Sequence, residues 1–159
     1  MSYDARVIAN EFLRIARDRG RPLTNMQLQK LVYIAHGYTL AALHEPLVKQ
    51  NIEAWRYGPV IHDLYDALKK YGSGFVTEFI PINSRESLPK THRVIIEAVE
   101  DAYSRFTGAQ LSTITHEAGT PWAKNYDEGS FWNSQPIPQE DIEHYYTGLL
   151  NERQSIGPA

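Results

Sequence analysis

Apolar residues recur at helical spacing over most of this chain. Across residues 4–18, Ile8, Phe12 and Ile15 share one face with Val7 and Ala16 at its edges, and Gly20 supplies a stop. Arg14, Arg17 and Arg19 gather near that end, where positive charge suits the helix dipole. The run LTNMQLQKLVYIAHGYTLAAL, Leu23 to Leu43, carries the clearest local signal. Thr24 and Gln27 have the spacing of a capping box, and Leu23 and Leu28 that of a hydrophobic staple. Leu28, Leu31, Val32, Ala35, Thr39 and Ala42 form one stripe, while Tyr33, Ile34, Leu40 and Leu43 put apolar mass on other sides. Such a helix is expected to be surrounded by others. Gly37 in its middle costs about 1 kcal/mol against alanine, which points to a backbone or ring packed close against it.

Between Leu47 and Tyr57 the pattern shifts toward alternation, predicting a short strand near Ile52 to Tyr57 that ends at Gly58. Pro59 suits the first position of a helix burying Val60, Ile61, Leu64, Leu68 and Tyr71, with Lys69 and Lys70 in its last turn and Gly72 beyond. Phe75 to Ile82 is a second strand candidate, placed to pair with the first across the base of this helix. A helix from about Pro89 to Phe106 is expected to bury Val94, Ile95, Ala98, Val99 and Ala102, and Gly108 separates it from a shorter one carrying Leu111, Ile114 and Thr115. Thr120 reads as the cap of a turn at Pro121 and Trp122. NYDEGSFWNSQPIP has no periodicity, and a last helix from Pro138 to Leu150 carries Ile142, Tyr145, Tyr146 and Leu149. The fold class expected is mainly α, a single-domain helical bundle around the central apolar helix. A minor two-stranded β element near Ile52 to Tyr57 and Phe75 to Ile80 completes it. Residues 1–150 form the domain, and 151–159 are expected to be a flexible C-terminal tail.

Composition narrows the function classes. The 159 residues suit one core, and 42% hydrophobic with 22% charged residues is ordinary for a globular chain. Net charge is −3, so there is no overall positive field to attract a phosphate backbone, and no nucleic-acid partner is expected. The absence of cysteine removes disulfides, thiolate catalysis and sulfur-ligated metals. With no long apolar run, no membrane partner is expected, and the chain reads as cytoplasmic.

Candidate chemistry is sparse. His36, His44, His62, His92, His116 and His144 offer no i, i+4 pair, and His116-Glu117 begins a zinc-protease motif whose second histidine is replaced by Thr120. No metal and no cofactor are therefore expected. No serine sits in a GxSxG elbow and no glycine-rich phosphate loop is present, so no catalytic residues are assigned. His62 and Asp63 point about 100° apart on a helix and form a poor catalytic pair. Asp63 suits the first helical turn electrostatically, while His62 stays open as a partner contact. Trp55, Arg56 and Tyr57 belong to the residue types that dominate binding hot spots. Strand alternation would place Trp55 and Tyr57 on one face with Arg56 on the other. Phe131 and Trp132 lie in the aperiodic segment, where a ring either covers the core or waits for a partner.

The segments QLQKLVYIAHGYTLA, PLV, IEAWRYGPVIHDLYDALKKYG and LSTITHEAGTPWAK, taken in order, resemble the Panacea domain, the SocA-like antitoxin domain also described as a phage-associated protein family. The resemblance runs from Leu23 to Tyr146. It implies a helical fold with a small strand element and an antitoxin of a bacterial or prophage toxin-antitoxin system. It further implies neutralisation of a cognate protein toxin by direct contact, with delivery of the toxin to a bacterial protease in some members. It carries over no catalytic residues. The expected partner-binding residues are Trp55, Arg56, Tyr57, His62 and Trp132. The competing expectation is a small histidine-dependent hydrolase or metal enzyme.

Overall fold

The computed structural model describes residues 1–83, 86–128 and 134–156, with side chains to residue 152. Phe131 and Trp132 thus lie outside the described residues. The elements run α1 (Ala5–Arg19), α2 (Asn25–Leu43), β1 (Glu53–Trp55), β2 (Gly58–Val60), α3 (His62–Leu68), α4 (Lys90–Tyr103), α5 (Gly108–His116), α6 (Pro121–Asn125), β3 (Gln135–Pro136) and α7 (Gln139–Ile156), with a 3-10 turn at Lys69–Tyr71. The fold is mainly α with a small antiparallel sheet of order β2-β1-β3.

Helix α2 is the axis around which the rest packs, because its sequence is apolar on nearly every side. It touches α1, α3, α4, α5, α7 and β2, and Leu31, Val32 and Ala35 are fully buried. Its start is fixed as the spacing predicted. Thr24 Oγ1 accepts the Gln27 N–H at 3.2 Å, and the Gln27 side chain accepts the Thr24 N–H at 2.9 Å. Removing one half of this reciprocal pair leaves an orphan helix donor. Thr24→Ala should cost about 1 kcal/mol of stability in a urea titration. An unchanged midpoint would mean that the cap is replaced by solvent.

The centre of α2 shows why Gly37 is there. The ring of Tyr146, from α7, lies where a side chain would begin, with Cγ only 2.7 Å from the position of an added Cβ. Tyr146 also meets Tyr33 and Tyr38 edge-on, with centroids at 5.9 and 4.9 Å. His36 fixes the loop after α2. Its Nδ1 accepts the backbone N–H groups of Leu47 and Val48, each at 3.2 Å, and its Nε2–H donates to Gln139 Oε1 at 2.8 Å.

Three local expectations need correction. The segment from Phe75 is not a partner of β1, whose neighbours are β2 and β3. Instead Val76 N–H donates to the Leu23 carbonyl, Phe75 bridges to Thr24, and Asn10 on α1 exchanges hydrogen bonds with the backbone of Ile80 at 2.8 and 3.0 Å. Pro59 does not open α3; it lies in β2 opposite Ala54, and the helix begins at His62. Helix α4 turns a different face inward, with His92, Ile96, Val99 and Glu100 buried while Val94 is 56% exposed. Charged neighbours offset part of that polar burial: His92 Nε2 lies 3.1 Å from Glu45 and Arg19 pairs with Glu100 Oε2, while Glu100 Oε1 makes no hydrogen bond.

Candidate partner-binding site

Strands β1 and β2 form a hairpin whose two-residue turn is Arg56-Tyr57, with Trp55 paired to Gly58. Both turn residues keep negative φ, and Gly58 takes the burden at φ 117°. A Cβ on Gly58 would stand 2.9 Å from Lys30 Nζ and 3.4 Å from Thr115 Oγ1. Conformation and space therefore both demand glycine at that position. Strand alternation ends at Trp55, so the expected opposition of Tyr57 and Arg56 across a strand does not occur; both stand on the turn. Arg56 is exposed, Tyr57 is 61% exposed, and the guanidinium lies 5.4 Å from the Tyr57 ring centroid.

The backbone of this turn is held from three helices. Lys30 on α2 donates to the carbonyls of Pro59 at 2.9 Å and Tyr57 at 3.3 Å. Ser112 on α5 donates to the same Tyr57 carbonyl at 2.6 Å, and Trp122 Nε1–H on α6 donates to the carbonyl of Trp55. Gln29 Oε1 accepts the Ile61 N–H at 3.1 Å, just beyond β2. Trp122 is itself wedged between His116, edge-on at 5.2 Å, and Tyr126, stacked at 4.5 Å. Lys30 is 2% exposed, and burial draws its ammonium down to about 7.

Trp55 is half-buried, its ring packed edge-on against Tyr65 of α3 at 5.1 Å and its Nε1–H donated to Glu53 at 2.8 Å. His62 is exposed, 5.9 Å from the Trp55 ring and 3.7 Å from Asp66. The structure thus brings Trp55, Arg56, Tyr57 and His62 into one patch. Sequence reasoning missed Gln29, Lys30, Ser112 and Trp122, which hold that patch in place. The available signal was a lysine set between Leu28 and Leu31 on a helix with no polar side to spare.

The histidines are dispersed. His36 bonds to Gln139 and backbone, His92 faces Glu45, His44 faces Glu143 at 3.5 Å and His116 bonds to Ser112. Among the described residues, no three histidine, aspartate or glutamate side chains gather in a way that could hold a metal ion. Nor is any helix among them long and apolar enough to cross a membrane.

Comparison with known proteins adds a family. The model of the family described as Antitoxin SocA-like, Panacea domain, matches residues 28–123. Antitoxin SocA of Caulobacter vibrioides (strain NA1000 / CB15N) is 33% identical over 135 residues, covering 76% of this chain and 69% of that protein. The chain belongs to the SocA-like antitoxin family. No solved structure matches it. Membership gives this Panacea domain an antitoxin role in a toxin-antitoxin system, with a toxin as its partner, and favours a non-enzymatic role. The matched region contains the residues that grip the hairpin turn, from Gln29 and Lys30 to Ser112 and Trp122.

Proposed function

We propose that this Panacea domain neutralises a cytoplasmic protein toxin by direct contact, and that the patch of Trp55, Arg56, Tyr57 and His62 belongs to the contact surface. The observation that carries this reading is the turn itself. An exposed arginine and tyrosine are presented on a backbone already fixed by Lys30, Ser112 and Trp122. Binding through a preformed turn avoids much of the ordering cost of association. Occupancy inhibits only when the complex is tight enough to keep free toxin rare, and such interfaces concentrate their energy in a few aromatic and arginine anchors.

Tyr57→Ala is expected to cost about 2 kcal/mol in toxin binding, roughly thirtyfold in affinity, with the fold intact. The measurements are affinity for the toxin encoded beside this chain and growth rescue on co-expression, with circular dichroism as the folding control. Full affinity and full rescue in well-folded Tyr57→Ala would move the contact to another surface. Toxin lifetime after translation is stopped separates two modes of neutralisation. A stable, silent toxin means masking, whereas a toxin shortened in lifetime only when this chain is present means delivery to a protease. Trp132 is included in the proposed surface on its residue type alone and is tested by the same assay.

A further inference from the structure

Beside the hairpin turn runs a groove of about 720 Å³, within the range of sites that take small ligands or short peptide segments. One wall is apolar and rich in anchor types: Met26, Trp55, Tyr57, Val60 and Tyr65. The charges around it are all of one sign. Lys30, Arg56 and Lys69 line it, and no aspartate or glutamate does, although the chain as a whole carries net charge −3. Lys69 shares its charge with Asp66 at 3.3 Å, Lys30 is buried with its ammonium on the Tyr57 and Pro59 carbonyls, and Arg56 has no carboxylate partner among the described residues.

The backbone adds to this bias. The N-terminal residues of α2, Asn25 and Met26, and of α5, Gly108, meet at the groove, with an added Gly108 Cβ only 2.9 Å from Met26 Cβ. Two helix N-termini thus present their positive dipole ends to one space. An independent observation comes from the side chains. Gln29 and Asn25 line the groove, are 3% and 8% exposed, and the Gln29 Nε2 donor and the Asn25 Oδ1 acceptor have no hydrogen-bond partner, a pair that a peptide main chain, with both N–H and C=O, can serve. A buried unpaired amide costs free energy until a ligand satisfies it.

We propose that this groove receives an acidic stretch of a partner polypeptide, its carboxylates facing Arg56, Lys69 and the two helix N-termini and an apolar side chain seated against Trp55, Tyr57 and Val60. The proposal rests on the direct-contact reading above, the partner being the toxin. A peptide fits better than a small anion because an anion alone would leave the apolar lining of Met26, Trp55, Tyr57, Val60 and Tyr65 uncovered. A backbone carbonyl of such a stretch is also a suitable acceptor for Gln29 Nε2.

The test is selection of randomised short peptides displayed against the full chain, followed by titration of synthetic copies. The expected winners combine aspartate or glutamate with leucine, phenylalanine or tryptophan. Their affinity should fall about tenfold in Arg56→Glu and again in Lys69→Glu, both exposed and free to change without unfolding, and should weaken as salt rises. Winners that are neutral or basic overturn the proposal, as do acidic winners indifferent to Arg56→Glu. So does displacement of the winners by inorganic phosphate or ATP at equal concentration, which would make the groove a phosphate site. Growth rescue separates this proposal from the one it rests on. If Arg56→Glu still rescues fully from the toxin, the groove is wrong and neutralisation by contact stands. If the unmodified chain never binds its toxin, direct contact itself is wrong.

Discussion

Gly37→Val is expected to lower the unfolding free energy by more than about 3 kcal/mol, the upper end of the usual cost of overpacking. The position of its Cβ is already occupied by the ring of Tyr146. That ring cannot swing away, because Tyr33 and Tyr38 hold its edges and only 4% of the residue is exposed. Helix propensity gives no compensation, since valine is only slightly better than glycine. Tyr146→Ala alone should cost about 3–5 kcal/mol through the cavity it leaves. The two changes act on the same space, so the double variant should be less destabilised than the sum by about 1–2 kcal/mol. Urea unfolding of the four proteins gives the answer, and strict additivity would show that glycine and ring do not meet.

Stability is also expected to fall on acidification, with His36 contributing about 3 kcal/mol between pH 6.5 and 4. Burial pushes its imidazole from 6.5 down to about 4. A group with a depressed folded pKa binds its proton more readily when unfolded, so the stability it contributes is present above 6.5 and is lost as pH falls through 4. The geometry gives the same sign. Nδ1 already accepts two backbone N–H groups, and a proton there would face two donors. Lys30 has the same sign in another window, its burial cost being complete below about pH 7 and relieved as pH rises toward 10.5. His36→Gln can still offer an oxygen to Leu47 or Val48 but takes up no proton. Near pH 5 the native chain should lose about 1.4 kcal/mol per pH unit more steeply than this variant. Parallel profiles would remove His36 from the acid response.

The helical core was legible because periodicity and capping agreed. The surround of α2 and its Thr24 cap follow from residues near in sequence, as does the close approach at Gly37, although that the approaching group is the ring of Tyr146 does not. The hairpin was harder, since Arg-Tyr is not a usual turn pair, and Gly58-Pro59 reads equally as the opening of a helix. What decides between them is remote: Lys30, Ser112 and Trp122 must arrive from three helices before the turn is the better choice. The face of α4 misled for a related reason. Apolar spacing favoured Val94 and Ala98, but burial of Glu100 depends on Arg19, 81 positions earlier in the chain. Of the site, the exposed Arg56 and Tyr57 were recognisable by type, whereas of the residues that hold their backbone only Lys30 carried a local mark, and nothing near Ser112 or Trp122 tied them to the turn.

The way α2 meets β2 limits how a partner can engage. The outward carbonyls of Tyr57 and Pro59 and the N–H of Ile61 are all taken by side chains. At the other margin of the sheet, Pro136 has no N–H to give. A small sheet normally offers its borders as a template on which another chain adds a strand. The β2 border is closed to that use and the β3 border lacks a donor at Pro136, which favours side chains over main-chain pairing for the proposed contact. A change of partner would then be made by substitutions on the turn and groove, without rebuilding any main-chain pairing.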